Sequence, residues 1–288
     1  MKSYVFDNAA AQSPSRMQCL ASLYDSNTFR RLEACGVGQG WRCLEVGGGG
    51  GSVARWLSER VGCGGHVVVT DIDPRLLAHL RHPNVEIRVH DIAHDPLEQE
   101  AFDVAHVRLV LAHVPERDAA FARIVQAVKP GGWIIAEEFE IGTLRPDPSA
   151  YRGEQPIFAY ALLHEVIAER GVDLRFGRRL PGLMRGAGLL QCGAEGSAFI
   201  HHRGSPGLAM LRANLEHLRS AILGTGRMSR AEFDADLERL EAEDILVPSP
   251  ILWTVWGRRS HRHTGGSRSS IVSELSGPAA DTRVGPPR

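Results

Sequence analysis

Acidic residues placed around a run of glycines are the feature of this sequence most able to do chemistry. Glu45 lies two residues before five consecutive glycines at positions 47–51, which follow a short apolar segment. Two further acids, Asp71 and Asp91, end later apolar segments. A backbone this bare lets a ligand approach closely, and carboxylates beside it can accept hydrogen bonds from ribose hydroxyls, an amine or an ammonium group. The pattern indicates a site for a nucleotide-like ligand.

Two common ligands of glycine loops fit this pattern less well. A P-loop ends in Gly-Lys-Ser/Thr so that its lysine meets the phosphates, but here Ser52 is followed by valine and no lysine is near. The dinucleotide fingerprint is met in its Gly/Ala form at positions 49–54, and Asp71 follows about 20 residues later. An NAD(P)-dependent oxidoreductase therefore stays open as an alternative, although Glu45 is badly placed for a pyrophosphate.

The segments around these residues alternate in character from about residue 40 to residue 140. Short apolar segments, predicted as strands, are separated by amphipathic segments, predicted as helices, which is typical of a parallel α/β sheet. The predicted strands are 42–46, 66–70, 85–89, 102–107 and 133–139, and the predicted helices are 52–60, one beginning near Pro74, and 120–129. A tight turn is predicted at 129–132, Lys-Pro-Gly-Gly. Ligands of such sheets bind at the carboxyl ends of the strands, so the glycines and acids should meet at one edge.

The rest of the chain is predicted to surround this core with helices and two more strands. Residues 13–35 are expected to form a helix in two pieces, the second capped by Asn27. Further helices are predicted at 155–170, 206–223 and 229–243, the last opening with a capping box at Ser229, and strands at 189–200 and 251–257. The predicted organisation is a helical lid segment at 1–39, a core at 40–140, further lid helices and the last strands of the same domain at 141–257, and a disordered tail at 258–288.

Four motifs, in this order and spacing, resemble those of the class I S-adenosylmethionine-dependent methyltransferases. They are 45–51 (Glu-Val followed by five glycines), Asp71, 90–92 (His-Asp-Ile) and 128–132 (Val-Lys-Pro-Gly-Gly). The resemblance is clear over about 40–140 and weaker over 1–257, where the pattern is similar to small-molecule methyltransferases of actinomycete metabolism. It implies an α/β, Rossmann-like class I methyltransferase fold, with a seven-stranded, mostly parallel sheet, an antiparallel last strand and helical lid elements. It also implies S-adenosyl-L-methionine as the cofactor.

The resemblance assigns a cofactor role to residues at the ends of four strands. They are Glu45, Gly47, Gly48, Gly49, Asp71, Ile72, His90, Asp91, Ile92, Val107 and Arg108. By this resemblance Glu45 supports the loop or the ammonium group, and the glycines approach the methionine portion. Asp71 holds the ribose hydroxyls with Ile72 packed on the adenine. Asp91 meets the adenine amine. The alternatives from local structure are a helix cap for Asp71 and a turn residue for Asp91.

Methyl transfer from a sulfonium is an in-line displacement of an already activated group, so the protein mainly aligns the reactants in a dry pocket. A base helps when the acceptor must lose a proton. The catalytic candidates are His113, after the fourth strand, and Glu138, favoured over Glu137 at the end of the fifth. His106 is expected to pack within its strand. Tyr160 and His164, one helical turn apart, are candidates for the acceptor pocket, with ordinary helix packing as the alternative.

Composition and the absence of certain motifs limit the kinds of molecule that this protein is expected to bind. A formal net charge of −1 over 288 residues is unlike a dedicated nucleic-acid binder. No apolar run approaches the roughly 20 residues that span a bilayer, and the start lacks the apolar region of a signal peptide. The sequence has neither the Asn/Asp-Pro-Pro-Tyr/Phe segment typical of amino-group methylation on adenine or glutamine nor the Pro-Cys dipeptide typical of cytosine carbon-5 enzymes. It also has no HExxH motif and no cluster of Asp, Glu and His, so no metal is expected.

These observations predict a cytoplasmic enzyme of specialised metabolism. Its partner would be a small-molecule methyl acceptor, with neither nucleic acid nor membrane involved, and a homodimer is compatible with this interpretation. The acceptor atom, oxygen, nitrogen or carbon, is left open. Two alternatives stay beside the methyltransferase: an NAD(P)-dependent oxidoreductase, and a non-catalytic regulatory protein that binds S-adenosylmethionine.

Overall fold

The computed structural model describes residues 5–142 and 157–261 of the chain. The predicted disordered tail therefore lies outside the described residues, apart from 258–261. The strands are β1 (Arg42–Val46), β2 (His66–Asp71), β3 (Val85–Val89), β4 (Phe102–Arg108), β5 (Val128–Glu140), β6 (Leu190–Ser197), β7 (Ile200–His202), β8 (Leu246–Pro248) and β9 (Ile251–Arg258). The α-helices are α1 (Ser13–Ala34), α2 (Ser52–Val61), α3 (Arg117–Ala127), α4 (Phe158–Glu169), α5 (Phe176–Gly186), α6 (Pro206–Gly224) and α7 (Arg230–Arg239).

Seven strands form one sheet in the order β3-β2-β1-β4-β5-β9-β6. Strands β1 to β5 pair in parallel, whereas β9 runs antiparallel to both of its neighbours. The apolar residues of β2 are buried, as expected for a strand covered on both faces. The predicted fold, a Rossmann-like, mostly parallel sheet with an antiparallel last strand, is confirmed. The antiparallel pair β7 and β8 forms a second, small sheet that the sequence did not predict.

Apolar residues form three buried clusters. One packs α3 and α5 against one face of the sheet, and another packs α1 and α2 against the opposite face. The third joins α4, α6 and α7. None of the helices in 5–142 and 157–261 has the length and apolar character needed to cross a bilayer. Of the helices predicted as lid elements, α4, α6 and α7 thus share a core of their own, whereas α1 packs on the sheet.

Helix α1 is a single helix, so the prediction of two pieces with Asn27 as a cap is wrong. Asn27 lies within the helix, and its Nδ2 donates a hydrogen bond to Ser197 Oγ at 2.9 Å. Asparagine often interrupts or caps a helix because its side chain hydrogen-bonds to nearby backbone groups. Here the side chain bonds to β6 instead, so the helix continues through Asn27. The preference of asparagine for helix ends could not reveal this contact, because Asn27 and Ser197 are far apart in the chain.

The Lys-Pro-Gly-Gly segment at 129–132 is also different from its prediction. It belongs to β5, and the helix before it ends at Ala127. The pairing with β4 shifts there, from Phe102 opposite Val128 to Val104 opposite Trp133. Arg259, the residue after β9, holds this bulge. Gly131 N donates to Arg259 O and Arg259 N donates to Gly132 O, each at 2.8 Å.

Three further elements differ from the sequence prediction. The helix expected near Pro74 is one 3₁₀ turn, Pro74–Leu77. Helix α5 contains Pro181, which normally marks a helix end, and it was not predicted. The segment 189–200 is divided between β6 and β7. The capping box that opens α7 at Ser229 is confirmed, although this helix ends at Arg239 rather than at residue 243.

Candidate active site

A cavity of about 490 Å³ lies at the carboxyl ends of β1 to β5, under α1, α4 and α6. Almost all of the site residues that the sequence predicted line it. They are Glu45, Gly47, Gly48, Gly49, Asp71, Ile72, His90, Asp91, Ile92, Arg108, His113, Glu138, Tyr160 and His164. Val107 is the exception, because its side chain is buried in the sheet core. Residues from five strands and one long helix therefore meet at one edge of the sheet, as the fold requires.

The glycine loop connects β1 to α2 and is held against its neighbours. Gly47 has φ +74°, and a Cβ on it would lie 2.2 Å from Val110 Cγ2. A Cβ on Gly50 would lie 2.9 Å from Met17 Cβ of α1, so Gly50 is required for the close packing of α1. Sequence reasoning gave Gly50 no role. Because side chains are excluded on both sides, the loop presents bare backbone to the cavity.

Asp71 links the end of β2 to this loop. Its Oδ2 accepts a hydrogen bond from Gly49 N at 3.1 Å, and its Oδ1 accepts one from Asp73 N at 2.9 Å. Burial raises the pKa of Asp71, and these amide bonds oppose part of that rise. The cap of the 3₁₀ turn is Asp73, not Asp71. Ile72 beside it is 56% exposed, which leaves apolar surface free inside the cavity.

Asp91 at the end of β3 shapes a turn and also lines the cavity. Its Oδ1 accepts from Ala93 N at 2.9 Å, and its own N donates to Asp95 Oδ2 at 2.8 Å. His90 is buried, with Nε2 3.3 Å from Pro96 O. Asp91 is thus a turn residue, as the alternative from local structure predicted, and it also lines the cavity.

Glu45 is part of a buried row of ionisable side chains across the sheet. Its Oε2 lies 2.7 Å from His106 Nδ1, and His106 Nε2 lies 3.1 Å from Glu137 Oε2. Burial opposes a charge on His106, but the two carboxylates outweigh it and raise the pKa of His106 to about 9. Burial raises the pKa of Glu45, because it disfavours the charged carboxylate. Contact with His106 helps to hold the pKa of Glu137 below its ordinary value. His106 is packed in the sheet, as expected.

Arg108 continues this row toward α1. Its guanidinium donates to Asp25 Oδ1 at 2.8 Å and to Thr28 Oγ1 at 2.9 Å. Thr28 Oγ1 donates in turn to Glu137 Oε2 at 2.5 Å. The side chain of Arg108 is therefore used to hold α1 on the sheet, a role that its place after the fourth strand did not show.

Glu138 points to the opposite face of β5 from Glu137, as alternation along the strand predicts. Its Oε1 accepts from Val110 N at 3.0 Å and from Ala112 N at 3.2 Å, which fixes the chain after β4. Burial raises the pKa of Glu138 to about 8, with the backbone amides acting in the opposite direction. A carboxyl group with a pKa close to neutral pH is well suited to exchange a proton.

His113 ends a 3₁₀ turn, Leu111–His113, directly after this fixed segment. Burial, with contributions from Arg16 and Arg117, lowers the pKa of His113 to about 4. Its ring meets that of Phe6 edge-on, with the centroids 6.4 Å apart. His113 is therefore neutral at pH 7 and is a weaker base than Glu138.

The half of the cavity under α4 and α6 holds the predicted acceptor residues. The rings of Tyr160 and His164 lie 4.4 Å apart, and burial lowers the pKa of His164 to about 4. Two residues that the sequence analysis missed also line this half, His201 and Asn214. His201 Nε2 and Asn214 Oδ1 are buried without a hydrogen-bond partner among residues 5–142 and 157–261. His201 lies on β7, a strand with no sequence signal, whereas Asn214 could have been found as a polar position on the buried face of a predicted helix.

The N-terminal segment before α1 forms another wall that the sequence did not predict in detail. Asn8 Nδ2 donates to Asp73 O at 3.0 Å, beside the Asp71 loop. Asp7 N donates to His217 Nε2 at 3.2 Å, on α6. Phe6 lines the cavity, and its ring meets those of His113 and His217 edge-on. We call residues 5–8 the strap, because they connect the rim of the cavity near β2 with α6.

The sheet order and this site define a class of protein. A glycine loop after β1, acids after β2 and β3, and a single antiparallel strand next to β5 occur together in one domain. Residues 44–136 match the protein family described as a methyltransferase domain. The glycine loop and both acids thus lie in a segment that matches a methyltransferase domain, and the sheet around it has the Rossmann-like order of the class I, S-adenosylmethionine-dependent methyltransferases. No group of three or more potential metal ligands is found in the described part of the chain.

Particular relatives match only part of the chain. Methyltransferase str2 of Strobilurus tenacellus is 33% identical over 151 residues, which cover 50% of this chain and 51% of that protein. The ubiquinone/menaquinone biosynthesis C-methyltransferase UbiE of Vibrio parahaemolyticus is 30% identical over 128 residues, covering 42% and 49%. The chain thus spans about half the length of these curated relatives.

Solved structures extend the likeness of fold beyond the matched segment. The YcgJ protein of Bacillus subtilis superposes with a TM-score of 0.55 at 11% identity, covering 83% of this chain and 100% of that one. Phosphoethanolamine N-methyltransferase 2 of Haemonchus contortus gives 0.52 at 18% identity, covering 83% and 53%. At these identities the likeness shows the fold alone.

Proposed function

We propose that this chain transfers a methyl group from S-adenosylmethionine to a small-molecule acceptor of specialised metabolism. One observation carries the proposal: a single cavity is lined by the glycine loop with its acids and also by Glu138, His113 and residues of α4 and α6. The name of the Vibrio relative, an enzyme of quinone biosynthesis, also supports an acceptor of small size.

The residues of the first half fit the parts of this cofactor. The bare backbone at Gly47 leaves room for the methionine portion, Asp71 offers acceptors for ribose hydroxyls, and exposed Ile72 offers an apolar face to adenine. Glu45, at the mouth of the loop, suits an ammonium group. When bound, the cofactor supplies a methyl group activated by the positive sulfur beside it. Such activation leaves the protein to orient the acceptor and exclude water.

The second half can orient an acceptor and take its proton. Tyr160, His164, His201 and Asn214 provide polar atoms within walls that are otherwise largely apolar. Glu138 is held by the amides of Val110 and Ala112 at the boundary between the halves. We propose Glu138 as the base for an acceptor that loses a proton, with neutral His113 placing the acceptor group by a hydrogen bond.

Replacing Asp71 with alanine should weaken the binding of S-adenosylhomocysteine by about 1–3 kcal/mol, because the ribose hydroxyls lose a charged acceptor. Isothermal titration calorimetry measures this loss directly. Asp244→Ala, which removes an exposed acid outside the cavity, serves as the control. Unchanged affinity in the Asp71 variant would remove this residue from the cofactor site.

Replacing His113 with alanine should reduce turnover on the order of tenfold to a hundredfold, because the acceptor would lose alignment. Affinity for S-adenosylhomocysteine should stay the same, since His113 lies in the acceptor half. His79→Ala, an exposed histidine after the 3₁₀ turn, is the matched control. A rate equal to that of the control would assign His113 to structure alone.

The proposed function itself is tested in two stages. Thermal shift with S-adenosylhomocysteine, NAD and NADP identifies the cofactor, because a ligand that binds the folded state raises the unfolding temperature. Stabilisation by NAD(P) alone would favour the oxidoreductase. A panel of small hydroxyl, amine and enolic acceptors, followed by release of S-adenosylhomocysteine, then tests catalysis. Tight cofactor binding with no turnover on the panel would favour the non-catalytic regulatory protein.

A further inference from the structure

Two buried polar atoms in the half of the cavity under α4 and α6 lack hydrogen-bond partners within the described chain. They are His201 Nε2 and Asn214 Oδ1, and His201 as a whole is only 4% exposed. A buried polar group without a partner destabilises the folded protein, so nearly all such groups in native proteins are paired. Both side chains line the cavity, so a ligand packed against them is well placed to supply the missing partners.

The fold holds His201 in place from two sides. On β7 it lies opposite Val247 of β8, and Ser249 N closes the end of this small sheet by donating to Phe199 O at 2.8 Å. On the other side, the ring packs against Gly207, the second residue of α6, where a Cβ would lie 2.0 Å from His201 Nδ1. Any side chain at this position would displace the ring. His201 is therefore a positioned side chain.

One face of α6 continues this surface along the cavity. Its members follow the i, i+3, i+4, i+7 spacing of a single helix face, and all of them line the cavity. They are Gly207, Met210, Leu211 and Asn214. We call these four residues and His201 the α6 wall. The wall is thus apolar in its middle, with a polar side chain toward each end.

The α6 wall has no charged side chain to pair with an ionised ligand. Burial, with a contribution from His202, lowers the pKa of His201, so its ring is neutral at pH 7. His164 on α4 is neutral as well, because burial lowers its pKa to about 4. An ionised group bound here would lose its hydration without gaining a counterion. A neutral hydroxyl can donate to Asn214 Oδ1, and it can donate to or accept from a histidine nitrogen.

We infer that the α6 wall binds a hydroxyl group of an otherwise apolar acceptor, separate from the atom that receives the methyl group. His201 and Asn214 are then the specificity-determining residues, and Gly207 is the positioning residue that holds the His201 ring. The inference rests on the proposed function, in which the reacting atom lies near Glu138 on β5. The acceptor is therefore recognised at two places that belong to different elements of the fold.

The stability of the ligand-free protein tests whether the two polar atoms lack partners. Asn214→Leu and His201→Phe replace them with apolar groups of similar size, so both variants should unfold at the same urea concentration as the wild type or a higher one. Asn84→Leu is the matched control and should unfold at a clearly lower concentration, because Asn84 Nδ2 donates to Ser58 O and Gly62 O. A loss in Asn214→Leu as large as that in Asn84→Leu would make Asn214 a structural residue and overturn the inference.

Aromatic diols and their monophenols test the class of ligand. The pairs are hydroquinone with phenol, naphthalene-2,6-diol with 2-naphthol, and biphenyl-4,4′-diol with 4-phenylphenol, which place a second hydroxyl at increasing distances along a rigid apolar body. Calorimetry on the complex with S-adenosylhomocysteine should show the wild type binding the diol of at least one pair about tenfold more tightly than its monophenol. Asn214→Leu should bind both members of that pair equally. Equal affinities within every pair on the wild type would overturn the inference.

Gly207→Ala tests whether the position of the His201 ring matters. The added methyl group displaces the ring, so this variant should lose the preference for the diol and keep its affinity for S-adenosylhomocysteine. Gly224→Ala is the matched control, because Gly224 lies on the same helix with open space around it, and it should keep both. A preference for the diol that survives in Gly207→Ala would contradict the role given to Gly207.

Kinetics with an acceptor found in the panel separates binding from chemistry. Asn214→Leu should raise KM for a hydroxylated acceptor about tenfold and leave kcat nearly unchanged, because the lost contact is made equally in the bound substrate and the transition state. A fall in kcat with an unchanged KM would overturn the inference. A preference for diols without turnover on any acceptor would instead overturn the proposed function and leave the hydroxyl site in place.

Discussion

Replacing Glu138 with glutamine should make the protein more stable than the wild type above pH 8. Burial raises the pKa of Glu138 to about 8 from an ordinary value of 4.5, so this carboxyl is ionised in the unfolded chain before it is ionised in the folded protein. The stability it provides is complete below about pH 4.5 and is lost as the pH rises to about 8. The full loss is on the order of 5 kcal/mol. Glutamine keeps the shape and an acceptor oxygen for Val110 and Ala112, but it does not ionise.

Urea unfolding at pH 6 and pH 9 measures this difference. The wild type should lose stability between the two values by more than the Glu138 variant does. Glu59→Gln, an exposed glutamate on α2, controls for the change of residue type and should follow the wild type. Parallel pH dependences for all three proteins would show that Glu138 is not held neutral.

The same substitution should lower turnover by about a hundredfold, because the proposed base is removed. A base acts when deprotonated, so the wild-type rate should rise with pH through about 8, and the variant's rate should lack this rise. The rate is measured as release of S-adenosylhomocysteine with an acceptor found in the panel. Full activity in the variant would indicate an acceptor that needs no base in the protein.

Replacing His106 with leucine should cost about 3–5 kcal/mol of unfolding free energy at pH 7. The substitution leaves Glu45 and Glu137 buried after their shared cation is removed, and uncompensated buried charge is among the largest single-residue costs. Urea unfolding measures the loss, with His66→Leu, a partly exposed histidine on β2, as the control.

A second variant separates lost charge pairing from lost packing. Adding Glu45→Leu to His106→Leu removes one of the two stranded carboxylates, so part of the stability should return. If the double variant is less stable than His106→Leu by the full cost of a second core substitution, packing explains the loss. A single-variant cost below about 1 kcal/mol would show that His106 does not carry the charge assigned to it.

The parts of the fold that the sequence predicted are those fixed by neighbours in the chain. The strands before and after the glycine loop, the acids that follow β2 and β3, and the capping box of α7 depend on local pattern and turn chemistry. Alternation along β5 also predicted that one of Glu137 and Glu138 would face the cavity, and Glu138 lines it.

The parts that it missed depend on contacts between distant segments. Thr28 and Glu137 are 109 residues apart in the chain, and only the folded protein brings them within hydrogen-bond distance. The need for glycine at position 50 comes from Met17 on α1. Asn27 resembles a helix cap until Ser197 is placed beside it. Pro181 lies inside α5, where tertiary packing outweighs its usual preference.

The strap at residues 5–8 makes the segment before α1 part of the wall of the cavity. It is held across the cavity by side-chain and backbone hydrogen bonds from Asn8 and Asp7, each worth about 1 kcal/mol. Val5 and Phe6 are also buried in the apolar cluster of α4, α6 and α7, so opening of the strap exposes apolar surface but leaves the sheet in place. An affinity tag placed ahead of Val5 is therefore attached to a wall of the cavity. Binding and rate measurements on this protein should use a tag at the opposite end, or none.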